Sequence, residues 1–263
     1  MITIGQGISI GQGINLGITI SSSPSSNVGN TQSNFVITFA NTSVGYSNTI
    51  SHSPYTTGSG LSFNLPATQG SGNQVPTNGI YSYLSVAAGT KMNFGTGPFT
   101  IEWFEYMTTT NNFPRRLWYS TSAGAEYWGF DIEGSTPYWW SPGIYNFTSY
   151  TQTTGSWNHF ALVRSGTSLT LYINGIAHGS SVTSTTNFSA TTDTLYIGGK
   201  PGGYVSEQFI GYMNSIRIVN GLAVYTGNFT VPTGPLGQTA SANPYGGANT
   251  AAITTQTVTL IQV

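Results

Sequence analysis

Between residues 33 and 236 no stretch of ten residues keeps the 3.6-residue apolar period of an amphipathic helix. What recurs is a short run of alternating apolar and polar residues that stops at Gly, Pro, Asn or Ser. Such runs put every second side chain on one face of an extended strand, so a core forms by stacking sheets. Runs of this kind cover 35–40, 61–65, 82–86, 117–120, 127–133, 157–164, 169–173, 194–197 and 209–219. Phe99, Ile101 and Trp103 alternate with Thr100 and Glu102 after a Gly97-Pro98 turn. Asn174-Gly175, flanked by 169–173 and 176–178, is a type I′ hairpin signal. The pattern predicts an all-β fold without long helices, a sandwich or jelly roll.

Residues 1–20 differ from this. A six-residue repeat runs ITIGQG, ISIGQG, INLGIT, and places Ile2, Ile4, Ile8, Ile10, Ile14, Leu16, Ile18 and Ile20 on one face of an extended strand. The opposite face carries only Gly, Ser, Thr and Asn. Left open to water, that apolar face is the kind of surface soluble proteins avoid. The segment is therefore expected to be an assembly arm that pairs with a neighbour by strand addition. The alternative is that it folds back on its own domain. Residues 21–32 read as a linker, 33–236 as the main domain, and 237–263 as a Gly/Ala/Asn/Pro-rich linker followed by a C-terminal β tail.

Charge narrows the partners. Only 5% of the 263 residues are charged, with 6 Lys plus Arg against 7 Asp plus Glu. A net charge of −1 gives no electrostatic footprint for nucleic acid or an anionic membrane surface. No run of 18 apolar residues exists, and the start lacks the basic stretch of a secretory signal. The absence of Cys removes disulfides, thiolate catalysis and Cys-bound zinc. With 16 Tyr, 13 Phe and 6 Trp the chain has ample material for a core.

Three groups of residues carry a resemblance. They are Tyr83-Leu84-Ser85-Val86 with Phe94-Gly95-Thr96-Gly97-Pro98-Phe99-Thr100-Ile101-Glu102-Trp103; Trp157-Asn158-His159-Phe160-Ala161-Leu162-Val163-Arg164 with Leu171-Tyr172-Ile173-Asn174-Gly175; and Gly211-Tyr212-Met213-Asn214-Ser215-Ile216-Arg217-Ile218 with the stretch to Pro232. Over residues 59–236 the chain resembles concanavalin A-like, laminin-G-like lectin/glucanase jelly rolls, and its closing motif is similar to versions in tailed-phage structural proteins. The resemblance implies an antiparallel two-sheet jelly-roll sandwich, and a place in a virion.

Each candidate for chemistry has a plain reading beside it. Asp131 and Glu133 share one strand face. Retaining glucanases of this superfamily set two Glu around an Asp on such a strand. Here Gly129 stands where the first Glu would be, so the chain is expected not to be an enzyme. The plain reading is two exposed carboxylates flanking Phe130 and Ile132. The resemblance also implies calcium, for which Asp131 with Glu133 is the best pair; otherwise no cofactor is expected. His52, His159 and His178 share no ligand spacing, and Trp157 and His159 read as framework. There is no Gly-x-Ser-x-Gly elbow or Walker loop.

The aromatic residues Trp118, Tyr119, Trp128, Tyr138, Trp139 and Trp140 crowd one third of the chain. Neighbours in a strand point to opposite faces, so each group offers a ring to the core and a ring outward. Outward rings suit stacking on neutral glycans, whereas the plain reading packs them inside or at an interface. The expected role is a virion structural protein, a capsid decoration or fibre subunit, that displays a lectin-like domain. Its partners would be other copies of itself, other virion proteins and glycans. The alternatives are a secreted or cell-surface adhesin or filament subunit, and a glycoside hydrolase.

Overall fold

In this computed structural model the described residues are 84–120, 126–140, 143–189, 193–199 and 207–232, with short pieces at 18–19, 35–39, 61–63, 236, 253 and 256–262. The strands are β1 (Ile18–Thr19), β2 (Phe35–Phe39), β3 (Leu61–Phe63), β4 (Leu84–Gly89), β5 (Phe99–Met107), β6 (Arg115–Ser120), β7 (Glu126–Glu133), β8 (Thr136–Trp140), β9 (Ile144–Asn146), β10 (Trp157–Ser165), β11 (Ser168–Ile173), β12 (Ile176–Ala177), β13 (Val182–Thr183), β14 (Asp193–Ile197), β15 (Gly211–Asn220) and β16 (Thr257–Gln262). Among the described residues there is no α-helix, only a 3-10 turn at Thr90–Met92 and 3-10 geometry at Glu207.

The strands form two sheets. One runs β1-β2-β16-β15-β5-β10-β11-β12, with β13 added on β11 and β3 on β15; the other runs β4-β14-β6-β7-β8-β9. Every pairing is antiparallel except β16 with β2. The fold is thus the expected two-sheet jelly-roll sandwich. The C-terminal strand is built into the larger sheet, between β15 and β2, and β1 pairs with β2 at its edge. Of the arm residues Ile18 alone is described, in β1. Ile2, Ile4, Ile8, Ile10, Ile14, Leu16 and Ile20 lie outside the described residues.

Period-two alternation fills the space between the sheets. β5 sends in Phe99, Ile101, Trp103 and Met107; β7 sends Trp128, Phe130 and Ile132. Trp103 stacks on Phe160 with 5.3 Å between centroids, and Trp128 on Trp139 with 5.0 Å. A second apolar cluster lies on the far side of the ten-stranded sheet, where the segment after β15 crosses back over it. There Tyr225 stacks on Phe229 at 3.6 Å, and Thr100 Oγ1 accepts the Val224 N–H and donates to the Leu222 carbonyl.

Two buried carboxylates on β5 pin these layers. Glu105 points inward and accepts from Trp103 Nε1 at 2.8 Å and from Arg116 Nε and Nη2 at 3.0 and 2.9 Å, so it joins one sheet to the other. Glu102 points outward beneath the crossing segment. It accepts from Arg217 Nε at 2.7 Å and Tyr225 O–H at 2.8 Å, with His159 Nε2 at 3.1 Å. Burial by itself would raise the Glu102 carboxyl, but Arg217, His159 and Tyr225 hold it down at about 2. His159 is thus framework, as expected.

Candidate functional site

The outer face of the six-stranded sheet brings together five of the residues singled out by sequence, Trp118, Asp131, Glu133, Tyr138 and Trp140. β6 and β7 pair Trp118 with Gly129 and Arg115 with Asp131; β7 and β8 pair Gly129 with Trp140 and Asp131 with Tyr138. Two rows result. One reads Tyr196, Trp118, Gly129, Trp140, Ile144; the other reads Arg115, Asp131, Tyr138, Asn146.

Parity sorts the six aromatic candidates. Tyr119, Trp128 and Trp139 point inward and are buried in the core, which removes them as glycan contacts. Trp118 points outward yet is also buried, which corrects the expectation for it. Its ring lies against Gly129, where an added Cβ would sit 2.0 Å from Trp118 Cε3. Arg115 covers it with the guanidinium carbon 3.9 Å from the ring centroid, and Trp140 lies 6.5 Å away. Gly129 is therefore the bed of an indole as well as the missing carboxylate of the glucanase pattern. Only Tyr138 and Trp140 remain half-exposed. They stand two apart on β8, with centroids 5.6 Å apart and planes within 29°. Beside them Ile144 on the edge strand β9 is 56% exposed, a rare degree for a large apolar side chain here.

The carboxylates also separate. Asp131 is 2% exposed, against the expectation of a solvated side chain, while Glu133 is half-exposed. The Trp140 Nε1–H donates to Asp131 Oδ1 at 2.7 Å. Burial pushes the Asp131 carboxyl up to about 6, against the pull of that indole N–H and of Arg115. Arg115 in turn pairs with Glu207 at 2.5 Å. Calcium takes six to eight oxygens. Asp131 and Glu133 supply two carboxylates, one already accepting an N–H beside a guanidinium, and no group of three His, Asp or Glu suited to a metal occurs among the described residues. This donor set does not fit calcium.

Sequence reasoning missed Arg115, Glu207 and Ile144. Arg115-Arg116 is conspicuous in a chain with six cationic residues. Assigning one arginine to each face needed the register shift between Arg115 and Leu117.

A family model of the concanavalin A-like lectin/glucanases superfamily, of the laminin G type, matches residues 77–224, more than half of the chain. The chain belongs to that superfamily. No curated protein sequence matches it. Among solved structures it is similar to domain 4 of AbnA, a GH43 extracellular arabinanase from Geobacillus stearothermophilus, in complex with arabinotriose, at 15% identity over 54% of this chain and 68% of that one, with a TM-score of 0.43. Mouse laminin alpha1 domains LG4-5 match at 16% identity over 52% of this chain, with a TM-score of 0.39; the chain spans 38% of that fragment. A putative carbohydrate binding protein from Bacteroides ovatus matches at 16% identity over 69% of this chain and 58% of that one, with a TM-score of 0.43.

Proposed function

We propose that this is a non-catalytic carbohydrate-recognition domain displayed on a multimeric particle, a phage virion first and a cell-surface adhesin or filament second. The observation that carries recognition is the Tyr138–Trp140 pair. Two half-exposed outward rings, stacked with planes 29° apart, present an apolar surface for the C–H face of a pyranose, and the half-exposed Glu133 and exposed Asn146 beside them can bond its hydroxyls. Gly129 supports the non-catalytic half of the reading. A carboxylate placed there would collide with Trp118, so the acid–nucleophile pair of a retaining glucanase has no room. The repeat at residues 2–19 supports display on an assembly.

The test is a glycan array probed with the purified protein and with Trp140→Ala and Tyr138→Ala. Each variant should lose about tenfold or more in affinity for the best ligand while unfolding at the same temperature. Full binding by both variants, or silence of the native protein on a broad array, would remove the recognition reading. Absence of the chain from purified virions and from cell surfaces would remove the display reading.

A further inference from the structure

Asp131 lies beneath the platform of Tyr138 and Trp140, bonded to one of its rings. Its Oδ1 accepts the Trp140 indole N–H at 2.7 Å. The ionisable groups around it come from each neighbouring strand: Arg115 and Arg116 on β6, Glu133 on β7, and Tyr138 on β8. Arg115 is engaged by Glu207 and sits over the ring of Trp118; Arg116 is engaged by Glu105. Among the described residues, that leaves three carboxylates, Asp131, Glu133 and Glu207, around one guanidinium on this side of the sheet. An asparagine would accept the same indole N–H without the cost of burying a charge. What Asp131 adds is the charge. A carboxylate bonded to the N–H of an indole pushes electron density into the ring, and an electron-rich ring face attracts cations more strongly.

We propose that Asp131 is the specificity-determining residue of this platform, setting Trp140 to take a sugar that carries an ammonium group in preference to a neutral or carboxylated one. The proposal rests on the glycan reading above and names its ligand class. The raised Asp131 carboxyl adds a condition: the preference is present when that group is ionised and fades as pH falls through about 6. A sugar amine titrates over the same range, so the cationic probe must be a quaternary ammonium, whose charge is the same at both pH values.

The experiment is calorimetric titration with three probes of equal length: a glucosamine oligomer methylated to the quaternary ammonium, an N-acetylglucosamine oligomer and an oligogalacturonate. The native protein, Asp131→Asn and Trp140→Phe are each tested at pH 7.5 and pH 5. At pH 7.5 the native protein should bind the glucosamine oligomer about tenfold more tightly than the acetylated one, with the galacturonate weakest. Asp131→Asn should level the first two, and so should the native protein at pH 5. Trp140→Phe keeps an aromatic ring but loses the N–H link, and should level them as well, which tests the idea even if the aspartate variant fails to fold. Galacturonate binding as tightly as glucosamine, or a preference that survives Asp131→Asn or pH 5, would overturn the inference while leaving the platform standing. Silence of the native protein to all three probes would overturn the inference alone if the glycan array shows another ligand, and together with the glycan reading if the array is silent too.

Discussion

Gly129 decides the character of the candidate face. Trp118 is one of the largest side chains in the chain and points away from the core, yet it is buried because its ring rests where a Cβ would be. Any side chain at 129 must push the indole off the sheet and disturb Arg115 above it. Gly129→Ala should therefore cost about 1–3 kcal/mol through overpacking, read as a lower denaturant midpoint, together with altered Trp fluorescence. A midpoint within error of the native protein would show that the indole has somewhere else to go.

The hairpin of β11 and β12 makes the equivalent case for an element. Asn174 and Gly175 both take positive φ, 51° and 79°, as a type I′ turn demands. The turn also serves as an anchor: Asn174 Oδ1 accepts the His159 N–H, and the Gly175 carbonyl accepts the Phe229 N–H. A Cβ on Gly175 would lie 2.1 Å from the Phe229 carbonyl oxygen. Gly175→Ala should thus loosen the crossing segment as well as the turn, with a loss of about 2 kcal/mol or more and faster amide exchange at Val224 and Phe229. Unchanged exchange there would separate the turn from the segment. This hairpin was fully legible in the sequence, because its signal is local. So was the first half of β5, where Phe99, Ile101 and Trp103 alternate. The second half was hidden because Glu105 occupies an inward position, and nothing local says that Arg116 will meet it from the other sheet. β8 was missed as a strand because Pro137 argues against one, although its carbonyl still accepts the Phe147 N–H. Of the site, parity said that neighbouring rings turn to opposite faces, but not which of them turns outward. Burial of Trp118 and Asp131 depended on register across four strands, which a single sequence does not show.

At the scale of the whole molecule the scarcity of charge makes the pH response readable. Glu102 is held near 2, below the usual carboxylate value, so its stabilising share is present above about pH 4 and is lost as pH falls toward 2. Asp131 is raised to about 6, so its ionisation costs stability above that pH, and the cost disappears as pH falls toward 4. Stability measured by urea unfolding should therefore rise from pH 7 to a maximum near pH 4–5, then fall steeply. Asp131→Asn should flatten the first limb and raise stability at pH 7 by on the order of 2–3 kcal/mol; a native curve that falls steadily from pH 7 would contradict this. The same β5 carboxylates matter before the sheet exists. Its centre joins β5 to β15, more than a hundred residues later, so a growing chain holds FTIEWFEYM without its partner while the rest is synthesised. Bare, that sequence would be a sticky edge for any neighbouring nascent chain. Two ionised glutamates, one on each side of the ribbon, keep it from pairing wrongly until Arg116 and Arg217 arrive to neutralise them. The buried ion pairs of the finished sandwich are thus, until the sheet closes, bare charges on an apolar strand.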